Sequence, residues 1–469
     1  MTTTLFDKIW HPHVVKAFDD GTALIYVDRV FVHERTGSIA LGSLNERDIP
    51  VKHPEHVFAT MDHIIDTFPG RGDETMMPGG EAFIRSLRKY ATDASLTLFD
   101  IHDRNHGITH IIAAEQGIAL PGLIVACPDS HTCTLGGLAA IGWGIGTSDC
   151  EHVLATQTLR AAKPQQMRVE FEGELGNGVT AKDIILHLIG TFGASGARGH
   201  AVEFCGEAIK MLDIEARFTL CNMAVEFSAF TGLVAPDEKT LAYVADKHYT
   251  PRDAAWERAV SYWKTLRSDE GAQFDKTLRV NCADIAPTVT WGTSPEHAVP
   301  ITGLVPQLDS DVDAETREQL QSAMNYMGLS PGQSLDGLPI NGAFIGSCTN
   351  ARLSDLRAAA RILDGQTVAD GVRAICTPGS RQIKLAAEAE GIDDVFKKAG
   401  FEWREPGCSL CFNAGGESFG PKERVMTSTN RNFRGRQGSQ TRSHLASPAS
   451  VAAAAIAGHI TDVRAVTRH

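Results

Sequence analysis

Short apolar runs in this chain repeatedly end in a polar turn that opens a helix-like segment, and that rhythm limits the fold more than any other feature. LPGLIVAC (120–127) runs into PDSHT. GAFIG (342–346) runs into SCTN and then LSDLRAAARIL, and VRAICTPG (372–379) precedes RQIKLAAEAEG. Parallel strands need long crossovers, usually helical, so this repetition predicts α/β layers with mostly parallel sheets. Ligands in such sheets gather where strand C-termini meet helix N-termini. The clusters DSHT and SCTN fall at such junctions, and the former leads to a long helical pattern through EHVLATQTLRAA (151–162).

At 469 residues, 43% of them hydrophobic, the chain is large enough for about two or three cores. A softer break at Lys163-Pro164 and a stretch with four prolines, 286–306, expected as a linker or crossover, divide it into three α/β domains: 1–164, 165–285 and 286–469. Thr180 to Asp183 resembles a capping box. Ser447-Pro448 gives an N-cap with a proline at the first helical position, and Gly458 a helix stop. The net charge of −13 excludes a generic nucleic-acid binder, which needs concentrated Lys and Arg to neutralise phosphates. The N-terminus lacks the basic and apolar regions of a secretory signal, and no run approaches about 18 apolar residues. Ten cysteines are too sparse for a disulfide scaffold, which fits a reducing, cytoplasmic setting.

The segment EPGCSLCFNAGG (405–416) places Cys408 and Cys411 three apart among glycines, and Cys348 lies in IGSCTNARLSDLR between a strand and a helix. Backbone N–H groups at such a junction favour a thiolate or an anion. Spacing alone leaves open a structural or zinc-bound C-x-x-C pair with Cys348 as a small core residue.

The words GSCTN, PGCSLC, DSHT, CNMAVE and TSTNRNFRGRQG occur in one fixed order. Together they resemble the aconitase superfamily of iron–sulfur hydro-lyases, from Leu5 almost to the C-terminus. GHAVEFCGEAIKMLDIEARFTLCNMAVE and VTWGTSP resemble its isopropylmalate-isomerising branch. The resemblance implies an aconitase-like large subunit with a [4Fe–4S] cluster held by Cys348, Cys408 and Cys411, one iron lacking a cysteine ligand. It implies interconversion of 2- and 3-isopropylmalate by dehydration and rehydration, a step of leucine biosynthesis. An iron with an open position acts as a Lewis acid, so three thiolates rather than four suit the chemistry.

The same resemblance assigns the remaining roles. Asp62 and His63 match an Asp–His dyad, His110 a second active-site histidine, and Asp129, Ser130 and His131 an Asp-Ser-His cluster. Asn222 and Glu226 match residues near the cluster, and Arg431 and Arg436 arginines that hold substrate carboxylate. A planar guanidinium grips a carboxylate with two parallel bonds, as lysine cannot. Most of the 18 histidines are expected at the surface or in the core, His53, His56 and His459 among them. Arg434 and Arg442 are expected at the surface. Cys127, Cys133, Cys150, Cys205, Cys221, Cys282 and Cys376 are expected as core thiols. Cys150 and His152 would point apart on a helix.

Single-chain members of the superfamily carry a further swivelling domain with the serine base. Here the sequence runs only about ten residues beyond the last helical segment. A separate small subunit is therefore expected to supply lid and base in a heterodimer. Cys127-Pro128, Cys133, Leu135 and FNAGGESFGP depart from the family's usual words, which keeps 2-methylmalate (citraconate) dehydration as an alternative substrate reading. An iron-responsive RNA-binding role is a remote alternative that the acidic balance disfavours.

Overall fold

A computed structural model describes residues 2–308, 313–413 and 415–466. The chain folds as two compact units. One comprises Met1–Ile65, Gly72–Glu174 and Ala197–Asn281, the other Asp66–Arg71, Leu175–Gly196 and Cys282–His469. Most of the pairing in their sheets is parallel.

The first unit is built on a five-stranded parallel sheet of β1 (Arg29–His33), β2 (Val57–Thr60), β3 (Thr97–Phe99), β4 (Ile124–Cys127) and β5 (Ile141–Gly144). The spatial order β3-β2-β1-β4-β5 puts β1 at the centre. Strands covered on both faces read as continuous apolar runs rather than alternating ones. VFAT and IVAC are buried throughout for that reason. Phe31 stacks on Phe58 and Phe99 at 5.7 and 6.4 Å between ring centres, and fully buried Ile112, Val125 and Cys127 join the same cluster. A second parallel sheet holds β6 (Gln165–Glu172), β7 (His200–Gly206), β8 (Thr231–Leu233) and β9 (Lys276–Asn281) in the order β8-β7-β6-β9.

The second unit contains the parallel sheet β12-β11-β10-β13-β14. Its strands are β10 (Gly342–Ile345), β11 (Arg373–Cys376), β12 (Glu402–Trp403), β13 (Arg424–Thr427) and β14 (Arg442–Leu445). The expected helix starts are present. Thr180 and Asp183 form a capping box on Ala181–Phe192, and Ser447 caps Pro448–Ala457, which ends at Gly458 with φ 74°.

Two stretches differ from expectation. The helix of EHVLATQTLRAA stops at Thr156, because Gln157 turns left-handed (φ 60°) and Thr158–Ala162 pairs antiparallel with Thr22–Tyr26. Thr158, β-branched, suits that cross-strand packing better than a helix. Within 286–306, Thr288–Thr290 and Ala298–Pro300 form an antiparallel pair. Thr288 N donates to Asp183 Oδ1 at 2.8 Å and Leu445 N to Thr290 Oγ1 at 2.7 Å, so the segment is fastened rather than free. Pro300 ends its strand, where a missing donor is tolerated. Among the described residues no helix is long and apolar enough to cross a membrane.

Candidate functional site

In the first unit the candidate acid–base residues lie beyond the C-terminal ends of β2 and β4, the two strands that flank β1. Asp62 and His63 follow β2, and Asp129 to His131 follow β4. His110 is in the first turn of the helix Thr109–Glu115. Asp129 caps the 3-10 segment Ser130–Leu138, accepting the His131 N–H at 2.7 Å. That segment packs hard against β8, and a Cβ on Gly136 would meet the Gly232 carbonyl oxygen at 1.6 Å.

Asp62 is fully buried. It accepts His63 Nδ1 at 2.5 Å and, through Oδ2, the backbone N–H and hydroxyl of Thr109 at 2.9 and 3.0 Å. His63 Nε2 lies 3.0 Å from Asp129 Oδ2. Both ring nitrogens thus face carboxylates, an arrangement only the imidazolium satisfies, because it donates from both. Burial alone would lower the His63 pKa, but Asp62 and Asp129 hold it well above 6.5. Burial likewise opposes ionisation of Asp129, yet His110, His131 and His63 keep its carboxyl well below the usual range. His110 Nε2 is 3.2 Å from Asp129 Oδ1, within ion-pair reach although off the hydrogen-bond line. His131 Nδ1 lies 3.5 Å from the same oxygen, and its Nε2 meets Glu226 Oε1 at 3.0 Å.

These six residues therefore form one connected network. Ser130 is exposed, with Oγ 3.5 Å from His131 Nδ1. Asn222, at the end of the helix Ile214–Asn222, is buried and donates to Thr134 Oγ1 at 2.8 Å. Cys133 is buried, its thiol 3.4 Å from the Asn222 carbonyl.

In the second unit Cys348, Cys408 and Cys411 are buried on two loops. Cys348 sits between β10 and the helix Leu353–Leu363. Its loop turns at Gly346, where a Cβ would strike Phe344 Cζ at 2.4 Å, and at Ser347, which holds φ 85°. The C-x-x-C loop is anchored by Leu410, fully buried with Phe344, Ile375, Phe419 and Val425. Asn430, just after β13, bridges the loops: Nδ2 donates to Cys348 Sγ at 3.4 Å, and Oδ1 lies 3.8 Å from Cys411 Sγ. Ser347 Oγ is 3.1 Å from Cys411 Sγ.

Arg436, 8% exposed, brings Nη2 to 3.7 Å from Cys411 Sγ with its guanidinium over the Phe412 and Phe433 rings. Its Nε is buried without a hydrogen-bond partner. Arg431 is half-buried five residues earlier. Arg442 is half-buried with Nε on the Tyr326 carbonyl, and Arg434 is exposed. Cys127, Cys133, Cys150, Cys221, Cys282 and Cys376 are buried, whereas Cys205 is only half-buried on β7. Cys150 is buried and His152 exposed, as their helical spacing requires.

Three buried thiols on two loops make a donor set chemically suited to an iron–sulfur cluster. The amide of Asn430 and the unpartnered Nε of Arg436 add donors suited to anionic sulfur and a carboxylate.

The aconitase (aconitate hydratase) family model matches residues 7–458. The chain belongs to the aconitase family. It is also 49% identical to the 3-isopropylmalate dehydratase large subunit 1 of Bradyrhizobium diazoefficiens over 465 residues, covering 99% of this chain and 97% of that protein.

Three further residues stand around the cysteine loops. Asn430 and Ser347 lie inside recognised words but act as connectors of the two cysteine loops. Lys182 is fully buried behind them and donates to Asn350 Oδ1, Ser428 O and Thr429 O at 3.3, 2.9 and 2.5 Å. Burial pushes its pKa down to about 7, against the pull of Asp355, Cys411 and Cys348. Only the apolar context of KDIILHLIG, read as a buried helix start, could have flagged it.

Proposed function

We propose that this chain is the large subunit of a [4Fe–4S] hydro-lyase that interconverts 2- and 3-isopropylmalate through an alkene. The observation that carries the reading is the near full-length 49% identity to a protein named for that reaction. The three buried cysteines give it chemical content.

Cys348, Cys408 and Cys411 would hold the cluster, which when bound supplies a Lewis-acidic iron free of cysteine. The chain's own residues do the rest. Arg436 and Arg431 grip substrate carboxylate. His63, kept protonated between two carboxylates, gives its proton to the departing hydroxyl, and Asp62 steadies the imidazolium. Asp129 holds His63, His110 and His131 in one frame, while Glu226 orients His131. Asn222 and Ser130 complete the polar lining. The relative's designation as a large subunit supports a small partner subunit, to which we assign the lid and the base that removes the carbon-bound proton.

The test is anaerobic co-purification with the small subunit, followed by alkene absorbance on a substrate panel. Turnover with 2- or 3-isopropylmalate above citrate and 2-methylmalate is expected. Preference for 2-methylmalate would overturn the substrate, and no dehydration of any malate would overturn the reaction.

A further inference from the structure

We propose that His33 and Glu34 are positioning residues of the acid–base network, Glu34 by gripping the turn that carries Asp62 and His63, and His33 by seating the His63 ring and fastening the Asp129 loop. The role rests on the hydro-lyase reading of that network.

Sheet order makes it possible. His33 ends the central strand β1, and Glu34 follows it. The strands on either side, β2 and β4, lead into the Asp62-His63 turn and the Asp129 loop. One dipeptide therefore reaches both. Glu34 is fully buried. Its Oε2 accepts the Asp62 N–H at 3.0 Å, and its Oε1 accepts the N–H groups of His63 at 2.7 Å and of Ile64. A buried carboxylate is costly unless such donors satisfy it, and charge-assisted bonds are the stronger kind. Three consecutive amides on one carboxylate fix the direction in which the turn presents its side chains.

His33 works on the other flank. Its ring lies parallel to that of His63, 4.1 Å between centres and 18° between planes. His33 Nε2 is 3.2 Å from the carbonyl of Pro128, the residue before Asp129. Thr36 Oγ1 lies 3.1 Å from the same nitrogen, and Nδ1 is buried with no partner, so nothing beside Nδ1 accepts the second proton an imidazolium would carry. The ring is thus neutral, and its pKa is lowered to about 4 by burial and by the neighbouring His63 charge. A neutral ring can stack on an imidazolium without like-charge repulsion. His33, Glu34, Asp62 and His63 lie within 4.8 Å of one another, but the Glu34 and Asp62 oxygens are already occupied by hydrogen-bond donors. The group is an alignment device rather than an open cation site.

The experiment uses the assembled, cluster-loaded complex with Glu34→Gln and His33→Phe. Glutamine keeps the shape but turns a donor toward the backbone amides. Phenylalanine keeps the ring but cannot reach the Pro128 carbonyl. Each is expected to lower kcat roughly ten- to hundred-fold, the scale of a misplaced catalytic group, with KM and the cluster spectrum unchanged. In Glu34→Gln the His63-dependent limb of the pH profile should move to lower pH, because a negative charge beside the imidazolium is lost. Amide exchange over residues 61–65 should also accelerate in that variant. A folded Glu34→Gln protein with wild-type kcat, pH profile and exchange overturns the first half, and a folded His33→Phe protein with wild-type kcat overturns the second. If the wild-type complex dehydrates no malate, the reaction assignment fails, yet the exchange arm still decides whether Glu34 holds the turn.

Discussion

Lys182 Nζ donates to the Ser428 carbonyl across 2.9 Å from a fully buried position, and its other acceptors, Thr429 O and Asn350 Oδ1, are neutral too. No carboxylate oxygen is among these three partners. A buried ammonium without a directly bonded counter-charge is retained where nearby anions offset its desolvation. Lys182→Met leaves two backbone carbonyls and an amide oxygen without their donor. It should destabilise the cluster-free chain by about 2–4 kcal/mol, since each unsatisfied buried group costs about 1–3 kcal/mol and some will relax. Urea unfolding at neutral pH measures it, and a change under about 0.5 kcal/mol, the range of ordinary surface substitutions, would count against the role.

The cysteine assignment predicts a sharp contrast. Cys348→Ser, Cys408→Ser and Cys411→Ser should each abolish stable incorporation of iron and acid-labile sulfide in anaerobically prepared protein. Cys376→Ser should retain both, because that thiol is fully buried on β11. Iron and sulfide analysis decides the matter, and zinc without sulfide would refute it.

Arg436 tests substrate recognition separately from cofactor retention. Lysine at this position keeps the charge but loses the planar fork. Arg436→Lys in the complex should lower kcat/KM about ten- to hundred-fold, the equivalent of about 1.5–3 kcal/mol for a hydrogen bond to a charged group. The visible spectrum of the cluster should not change.

His444 gives a pH prediction with a definite sign. It is fully buried on β14, takes part in hydrogen bonds with Arg424 Nη1 at 2.7 Å and Thr290 O at 2.6 Å, and burial lowers its pKa to about 3. The unfolded chain binds its proton near pH 6.5, so between those values unfolding takes up a proton. Its contribution to stability is full above pH 6.5 and is lost as pH falls toward 3. Relative to His444→Gln, the wild-type chain should lose about 2 kcal/mol between pH 7.5 and 5.0. Denaturant titrations at the two pH values test this, and parallel curves would contradict it.

The α/β character was legible because β4, β10 and β11 are short apolar runs followed by polar turns, a signal that survives without tertiary context. The family was legible for a different reason: the words around the cysteines are distinctive and occur in order. His33 and Glu34 were not legible. Their partners lie about 30 and 95 positions away, and only the placement of β1 between β2 and β4 makes them neighbours. The hairpin within 286–306 was hidden by its prolines, which mask strand propensity although Pro300 occupies a strand end. Thr158–Ala162 was hidden because its pairing strand precedes it by more than 130 residues.

Leu410, between the two cysteines of the C-x-x-C, completes an apolar cluster that needs no inorganic atom to close. In small zinc modules the metal takes the place of a core, and losing it unfolds the chain. Here the loop has its own root. If these cysteines hold the proposed cluster, its oxidative loss should leave a folded receptacle, so the lifetime of the polypeptide would not be tied to that of its prosthetic group. Restoring iron and sulfide to such a chain would then recover the catalyst without new synthesis.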